Sequence, residues 1–206
     1  NYALGGLDVA GYHAVNLAVH VIAALLLLGV VRRTLRSAPL RRRVGRADLP
    51  LALAVALLWA LHPLQTESVT YVVQRAESMV GLLYLLTLYC AIRSAAGRRR
   101  AAWAAGAVAA CAAGMAAKEV MATAPLVVLV HDRLFLHRSW RRLLRRRWAL
   151  YAGLAATWGI LAALLARGPR TLSAGFAMED VTVWPYARSQ FGVILHYLRM
   201  VFWPHP

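Results

Sequence analysis

HPLQTES at His62–Ser68, followed by QRAES at Gln74–Ser78, sets His, Glu, Arg and Glu between two strongly apolar runs, Leu49–Leu61 and Met79–Ile92. How those runs are read decides the fold. Ionisable groups at or near membrane depth cost about 2.5–3.5 kcal/mol each even on the lenient insertion scale, so they are paired or have a task. Pro63 has no N–H to continue a helix and ends the first run.

Working outward, 61% of the 206 residues are hydrophobic, and they fall in blocks. The blocks lie at approximately 11–31, 49–62, 78–93, 101–117, 120–136, 148–166 and 190–203. Soluble domains seldom carry that much apolar surface in uninterrupted stretches. A full crossing of the hydrocarbon takes about 20 helical residues, so several blocks are short for it. The expectation is an all-α, polytopic integral membrane bundle of about six to seven spans, forming one transmembrane domain over 1–206. Cys90 and Cys111 lie inside apolar runs without metal or redox spacing and read as small buried hydrophobes.

The net charge of +16 raises nucleic acid as a partner, but its placement argues against that. Of the 24 basic residues only Lys118 is lysine, and 18 of the arginines crowd into Arg32–Arg46, Arg93–Arg100 and Arg133–Arg147. Each of these connectors follows an odd-numbered block, so one topology puts all three on the same side. That is the positive-inside pattern, and it makes these loops cytoplasmic. The arginine runs then read as solvated anchors without chemistry, in contact with membrane lipids. Asp8, Glu67, Glu77, Glu119, Glu179 and Asp180 fall on the opposite, exoplasmic side, together with Arg75 and Lys118. Mixed signs permit poised, paired groups, so chemistry is expected there.

Block lengths add depth to the picture. Ala101–Leu136 offers 36 residues for two crossings and a turn, about 54 Å of helix where two untilted crossings need about 60 Å. The Lys118-Glu119 turn is therefore expected below the exoplasmic surface. Non-helical backbone at that depth needs protein or a water-filled cavity around it, which implies a polar cleft at headgroup level.

Each candidate residue has a plain reading beside the functional one. His13, Asn16 and His20 form one polar stripe, which interhelical hydrogen bonding explains, with His13 nearest the cleft. His62-Pro63 serves as a helix terminator. Arg75 and Glu77 pair with each other or with headgroups, or else Arg75 grips a phosphate through its planar donor fork. Lys118, the lone lysine, beside Glu119, suits a phosphate as a point charge. No metal site follows from the histidine stripe, which lacks an adjacent carboxylate or Cys.

Four strings together resemble one family: NYALGGLD…GYHAVNLAVH at Asn1–His20, HPLQTESVTYVVQRAES at His62–Ser78, AAKEVMATAPLVVLVHDRLF at Ala116–Phe135, and QFGVILHYLRMVFWPHP at Gln190–Pro206. They look like the membrane region of bacterial tetratricopeptide-repeat membrane proteins, which are related to the transmembrane-and-tetratricopeptide-repeat O-mannosyltransferases. The resemblance implies a GT-C type glycosyltransferase fold in a bacterial inner membrane, with its cleft periplasmic. It implies transfer of a mannose-like sugar from a polyprenyl-phosphate-linked donor to a protein or other hydroxyl acceptor. Arg75, Lys118 and His62 would hold the donor phosphate, and Asp8, His13 and Gln74 would line the cleft. The principal acidic residue is expected upstream of Asn1, leaving Glu67, Glu77 and Glu119 as the catalytic candidates within this chain. The first span and the carboxyl-terminal repeats are also expected outside it, so the chain reads as a fragment that does not catalyse alone. No cofactor is implied, and a divalent metal stays open. The alternative is a catalytically inactive anchor that presents tetratricopeptide repeats for protein–protein interaction. A transporter of lipid-linked molecules would call for inverted-repeat symmetry, and none is seen.

Overall fold

The computed structural model describes residues 9–65, 75–136, 139–167 and 183–203. It divides into two compact units, Asn1–Ala162 and Ala163–Pro206. The first holds α1 (Val9–Leu35), α2 (Ala38–Val44), α3 (Asp48–Ala60), α4 (Arg75–Ser94), α5 (Arg100–Ala117) and α6 (Ala124–Phe135). Most of α7 (Trp140–Leu165) also lies in it, and α8 (Val183–Phe202) belongs to the second unit. Short 3₁₀ turns at Pro63–Gln65 and Glu119–Thr123 complete the described elements, and there is no strand among the described residues.

Packing follows small residues. On α3, Asp48, Ala52 and Ala56 are buried at a spacing of four, while Leu49, Leu51, Leu53, Val55, Leu57 and Leu58 are exposed. A water-soluble helix would hide its leucines and display its alanines. Here the order is reversed, because lipid tails solvate Leu as well as a core does and small residues let backbones approach. The alanine seam of α3 lies against α1, and α4 packs on both α1 and α5. Alanines, cysteines and methionines of α4, α5 and the 119–123 turn, with Val128, Leu150 and Leu154, form the core.

The α5–α6 hairpin depends on Gly114. A Cβ there would stand 2.5 Å from Met121 Cγ, and Met121 is fully buried. Gly114 therefore admits Met121, which lets the chain turn tightly from α5 through Lys118 into the 3₁₀ segment. The 18 residues of α5 rise about 27 Å. The five residues of the 3₁₀ turn and twelve of α6 return about 28 Å. Among the described residues four helices are long and apolar enough to cross a membrane: Ala10–Leu35, Ala76–Ser94, Arg100–Ala117 and Trp140–Leu165. Asp48–Ala60 is apolar but shorter. The helix of α7 breaks at Arg147 (φ −126°, ψ 20°), immediately before the apolar block that opens at Trp148.

Candidate functional site at the two ends of α4

The polar residues gather at two ends of one helix. At the amino end of α4, Glu77 in the first turn forms an ion pair with Lys118, which caps the carboxyl end of α5. The two side chains are 51% and 41% exposed. The pair thus joins the two sequence blocks expected to make one cleft. Lys118 is held in extended backbone (φ −159°, ψ 147°), and its N–H donates to the Gly114 carbonyl at 3.0 Å. The turn beyond it is fastened on two sides. Tyr84 of α4 and Thr123 share a hydroxyl contact of 3.1 Å, and the Trp158 indole N–H of α7 donates to the Ala122 carbonyl at 3.0 Å.

The other expected residues separate. Glu119 is exposed, opens the 3₁₀ turn, and has no ion-pair partner among the described residues. His62 follows α3, and its Nδ1 accepts the Leu64 N–H at 3.2 Å, a local turn contact that fits its role as terminator. His13 is half-buried on α1. Arg75 opens α4, but its side chain, together with Asp8, Glu67 and Gln74, lies outside the described residues. Glu77 pairs with Lys118, because the hairpin turn brings that ammonium to the start of α4; its expected contact with Arg75 lies outside the described residues. Among the described residues no group of three His, Cys, Asp and Glu side chains comes together to hold a metal ion.

The polar stripe on α1 serves packing. Asn16 and His20 are buried, and His20 Nε2 lies 3.0 Å from the Ala60 carbonyl at the end of α3. The His20 ring also stacks on Trp59, with centroids 5.1 Å apart. A helix leaves its last carbonyls unsatisfied, and in an apolar setting a neighbouring side chain must meet them.

The arginine-rich end departs from its expected solvated character. Arg147 is only 9% exposed and pairs with Asp132 of α6, itself 1% exposed. The same guanidinium donates to the Ala91 carbonyl and the Ser94 hydroxyl of α4, both at 2.6 Å. Tyr151 donates to Asp132 at 2.7 Å, and His131 bonds Thr34 of α1 at 2.9 Å. Asp48 accepts Arg32 at 3.1 Å and Arg36 at 2.8 Å, which fastens α3 to the end of α1. Its place in the first turn of α3 also complements the helix dipole. Sequence reasoning overlooked these residues because it sorted charge by loop. The available signal was that Asp48 and Asp132 are the only carboxylates in a field of arginine, flanking two of the basic runs.

Small-residue seams, outward-facing leucines and, among the described residues, four helices of crossing length define a polytopic helical membrane protein. Its sequence is 39% identical over 95 residues to Protein O-mannosyl-transferase Tmtc3 of Drosophila melanogaster, covering 41% of this chain and 10% of the fly protein. It is 33% identical over 144 residues to Protein O-mannosyl-transferase tmtc2 of Xenopus laevis, covering 67% and 16%. The human Protein O-mannosyl-transferase TMTC2 is 30% identical over 142 residues, again covering 67% and 16%. The chain is related to the TMTC-type protein O-mannosyl-transferases, and the matched part spans between about a tenth and a sixth of their length. No family model matches the chain. No solved structure matches it either.

Proposed function

We propose that this chain is part of the membrane region of a glycosyltransferase that moves a sugar from a polyprenyl-phosphate donor to a hydroxyl acceptor. The relatives' names point to mannose as the sugar and protein as the acceptor. The observation that carries the reading is the Glu77–Lys118 pair, which joins two chemically unusual sequence blocks at one half-exposed point. In this reading the scaffold is of the GT-C type and sits in a bacterial inner membrane, with the arginine-rich end cytoplasmic and the Lys118 end periplasmic. The α5–α6 hairpin falls a few Å short of the ~30 Å hydrocarbon core, which supports a cleft at headgroup level.

The chemistry follows from that placement. The acceptor oxygen attacks the anomeric carbon of the donor, the carbon–oxygen bond to phosphate breaks, and the phosphate departs on its lipid. The acceptor proton passes to a carboxylate acting as general base. Lys118 and Arg75 stabilise the charge that grows on the departing phosphate. Glu77 keeps the Lys118 ammonium poised until the phosphate takes its place, and His62 lies on the same side. The principal base belongs to a segment other than these residues, with Glu67, Glu77 and Glu119 as the candidate carboxylates within this chain.

In the full-length protein, Lys118→Ala and Arg75→Ala should each lower glycosyl transfer by about 100-fold or more, the scale of losing one preorganised donor at a developing oxyanion. Membrane insertion should be unchanged. Transfer at the wild-type rate in both variants would remove the donor-phosphate assignment. Thiol labelling of Ser68→Cys from the periplasm, with the exposed Arg42→Cys protected, checks the sidedness.

A further inference from the structure

At the end of α4 opposite to Glu77, a cavity of about 500 Å³ opens among α1, α4, α5 and α6. Arg33, Arg93, Arg98 and Arg99 line it together with Trp103 and His131. Ser94 and Glu77 are 17 residues apart on α4, about 26 Å along the axis, so this cavity is separate from the proposed transfer site.

The arginines here are ordered without carboxylates. Arg33 lies over the Tyr89 ring at 4.6 Å, and Arg93 over the Trp103 ring at 4.4 Å and the Tyr89 ring at 6.0 Å. Tyr89 and Trp103 meet edge to face at 6.0 Å, so one aromatic pair holds both guanidiniums. The two carboxylates at this end, Asp48 and Asp132, are engaged by Arg32, Arg36 and Arg147. Among the described residues neither Arg33 nor Arg93 forms an ion pair with a carboxylate. Stacking uses the faces of the guanidiniums and leaves planar N–H edges for an oxyanion. Arg33 gives one such donor to the Gly29 carbonyl at 3.1 Å.

One further polar group on the cavity wall is unsatisfied. Ser37 Oγ is buried without a hydrogen-bond partner, whereas His131 Nδ1 faces Asp132 Oδ1 at 3.7 Å. Buried polar atoms in a folded protein are nearly always paired, so the Ser37 hydroxyl beside two guanidiniums without carboxylate partners suits an anion as ligand. A second hollow of about 300 Å³ shares Arg33 with the first and runs along Ile22, Leu25 and Leu26 of α1 to Tyr89. Its Ile22 and Leu25 are exposed apolar side chains on a helix of crossing length. A largely apolar chamber rimmed by arginines, sharing Arg33 with an apolar groove, matches a phosphate attached to an acyl chain better than a free anion.

We propose that this cavity binds the phosphate of an anionic membrane lipid between Arg33 and Arg93, with an acyl chain along the Ile22–Leu26 groove. The lipid would neutralise two like-charged guanidiniums and tie α1 to α4 and α5. This site is independent of the transfer reaction.

The test uses the purified full chain reconstituted in equimolar phosphatidylglycerol and phosphatidylcholine, then delipidated and weighed by native mass spectrometry. Wild type should retain phosphatidylglycerol several-fold over phosphatidylcholine. Arg33→Gln with Arg93→Gln should abolish that preference, and Arg41→Gln with Arg42→Gln, on the exposed face of α2, should not. Ser37→Ala removes a hydroxyl that has no partner in the fold, so it should weaken the preference while the protein stays folded. It decides the matter if the double variant loses helicity. Equal retention of both lipids by wild type, or an undiminished preference in Ser37→Ala and the double variant, overturns the proposal. Added inorganic phosphate should leave the lipid bound; if phosphate displaces it, the cavity is a free-anion site and the lipid assignment fails.

Discussion

The two ends of α4 carry ion pairs of opposite character. At the amino end Glu77 and Lys118 form one pair that is about half exposed. At the carboxyl end Arg147 and Asp132 are almost fully buried and are bonded further to Ala91, Ser94 and Tyr151. An exposed pair contributes at most about 1 kcal/mol, since water screens it and both side chains lose entropy. A buried pair contributes little net stability over an apolar substitute, but losing one partner strands a charge. The amino end can therefore exchange its partner for a ligand at small cost. The carboxyl end is committed to holding α4, α6 and α7 together.

Substitutions at each end measure that contrast. Asp132→Ala should destabilise most, by about 3–5 kcal/mol, because it leaves Arg147 buried and uncompensated. Reversible unfolding in mixed micelles would read this, and a loss below 1 kcal/mol would mean that water reaches the network. Gly114→Leu comes next. It drives a side chain into Met121 and should cost about 1–3 kcal/mol, with faster proteolysis at the 118–123 turn as its local signature. His20→Ala strands the Ala60 carbonyl and should cost about 1–3 kcal/mol by the same unfolding measurement, less if water reaches the end of α3. Lys118→Met should change stability least, by about 0–1 kcal/mol, even though glycosyl transfer in the full-length protein should fall the most. If Lys118→Met unfolds the protein as readily as Asp132→Ala, both ends are structural and the contrast disappears.

The contrast was only half legible beforehand. Apolar blocks and Pro63 marked the helices, because hydrophobic length and a missing N–H act locally along the chain. The Lys118 turn stood out because a lone lysine beside a carboxylate between two short blocks is costly near lipid. Its pairing with Glu77 was not legible. Glu77 is two residues from Arg75 and 41 from Lys118, and only the α5 hairpin makes the distant residue the neighbour. Arg147 was hidden among seven arginines between positions 133 and 147, and nothing local separates it from Arg145 or Arg146. Its distinction is the break in α7, which turns it toward Asp132.

Composition and block spacing alone established a helical membrane protein with charge segregated by loop, since burial in lipid and the positive-inside bias depend on residue type and order. Which charges are spent and which remain available was decided by tertiary packing. Asp48 and Asp132 each reach only the guanidiniums that the helices bring within about 3 Å, and Arg33 and Arg93 are left on an aromatic pair. Ion pairing falls off within a few Å, and no pattern in one dimension fixes contacts that short across five helices.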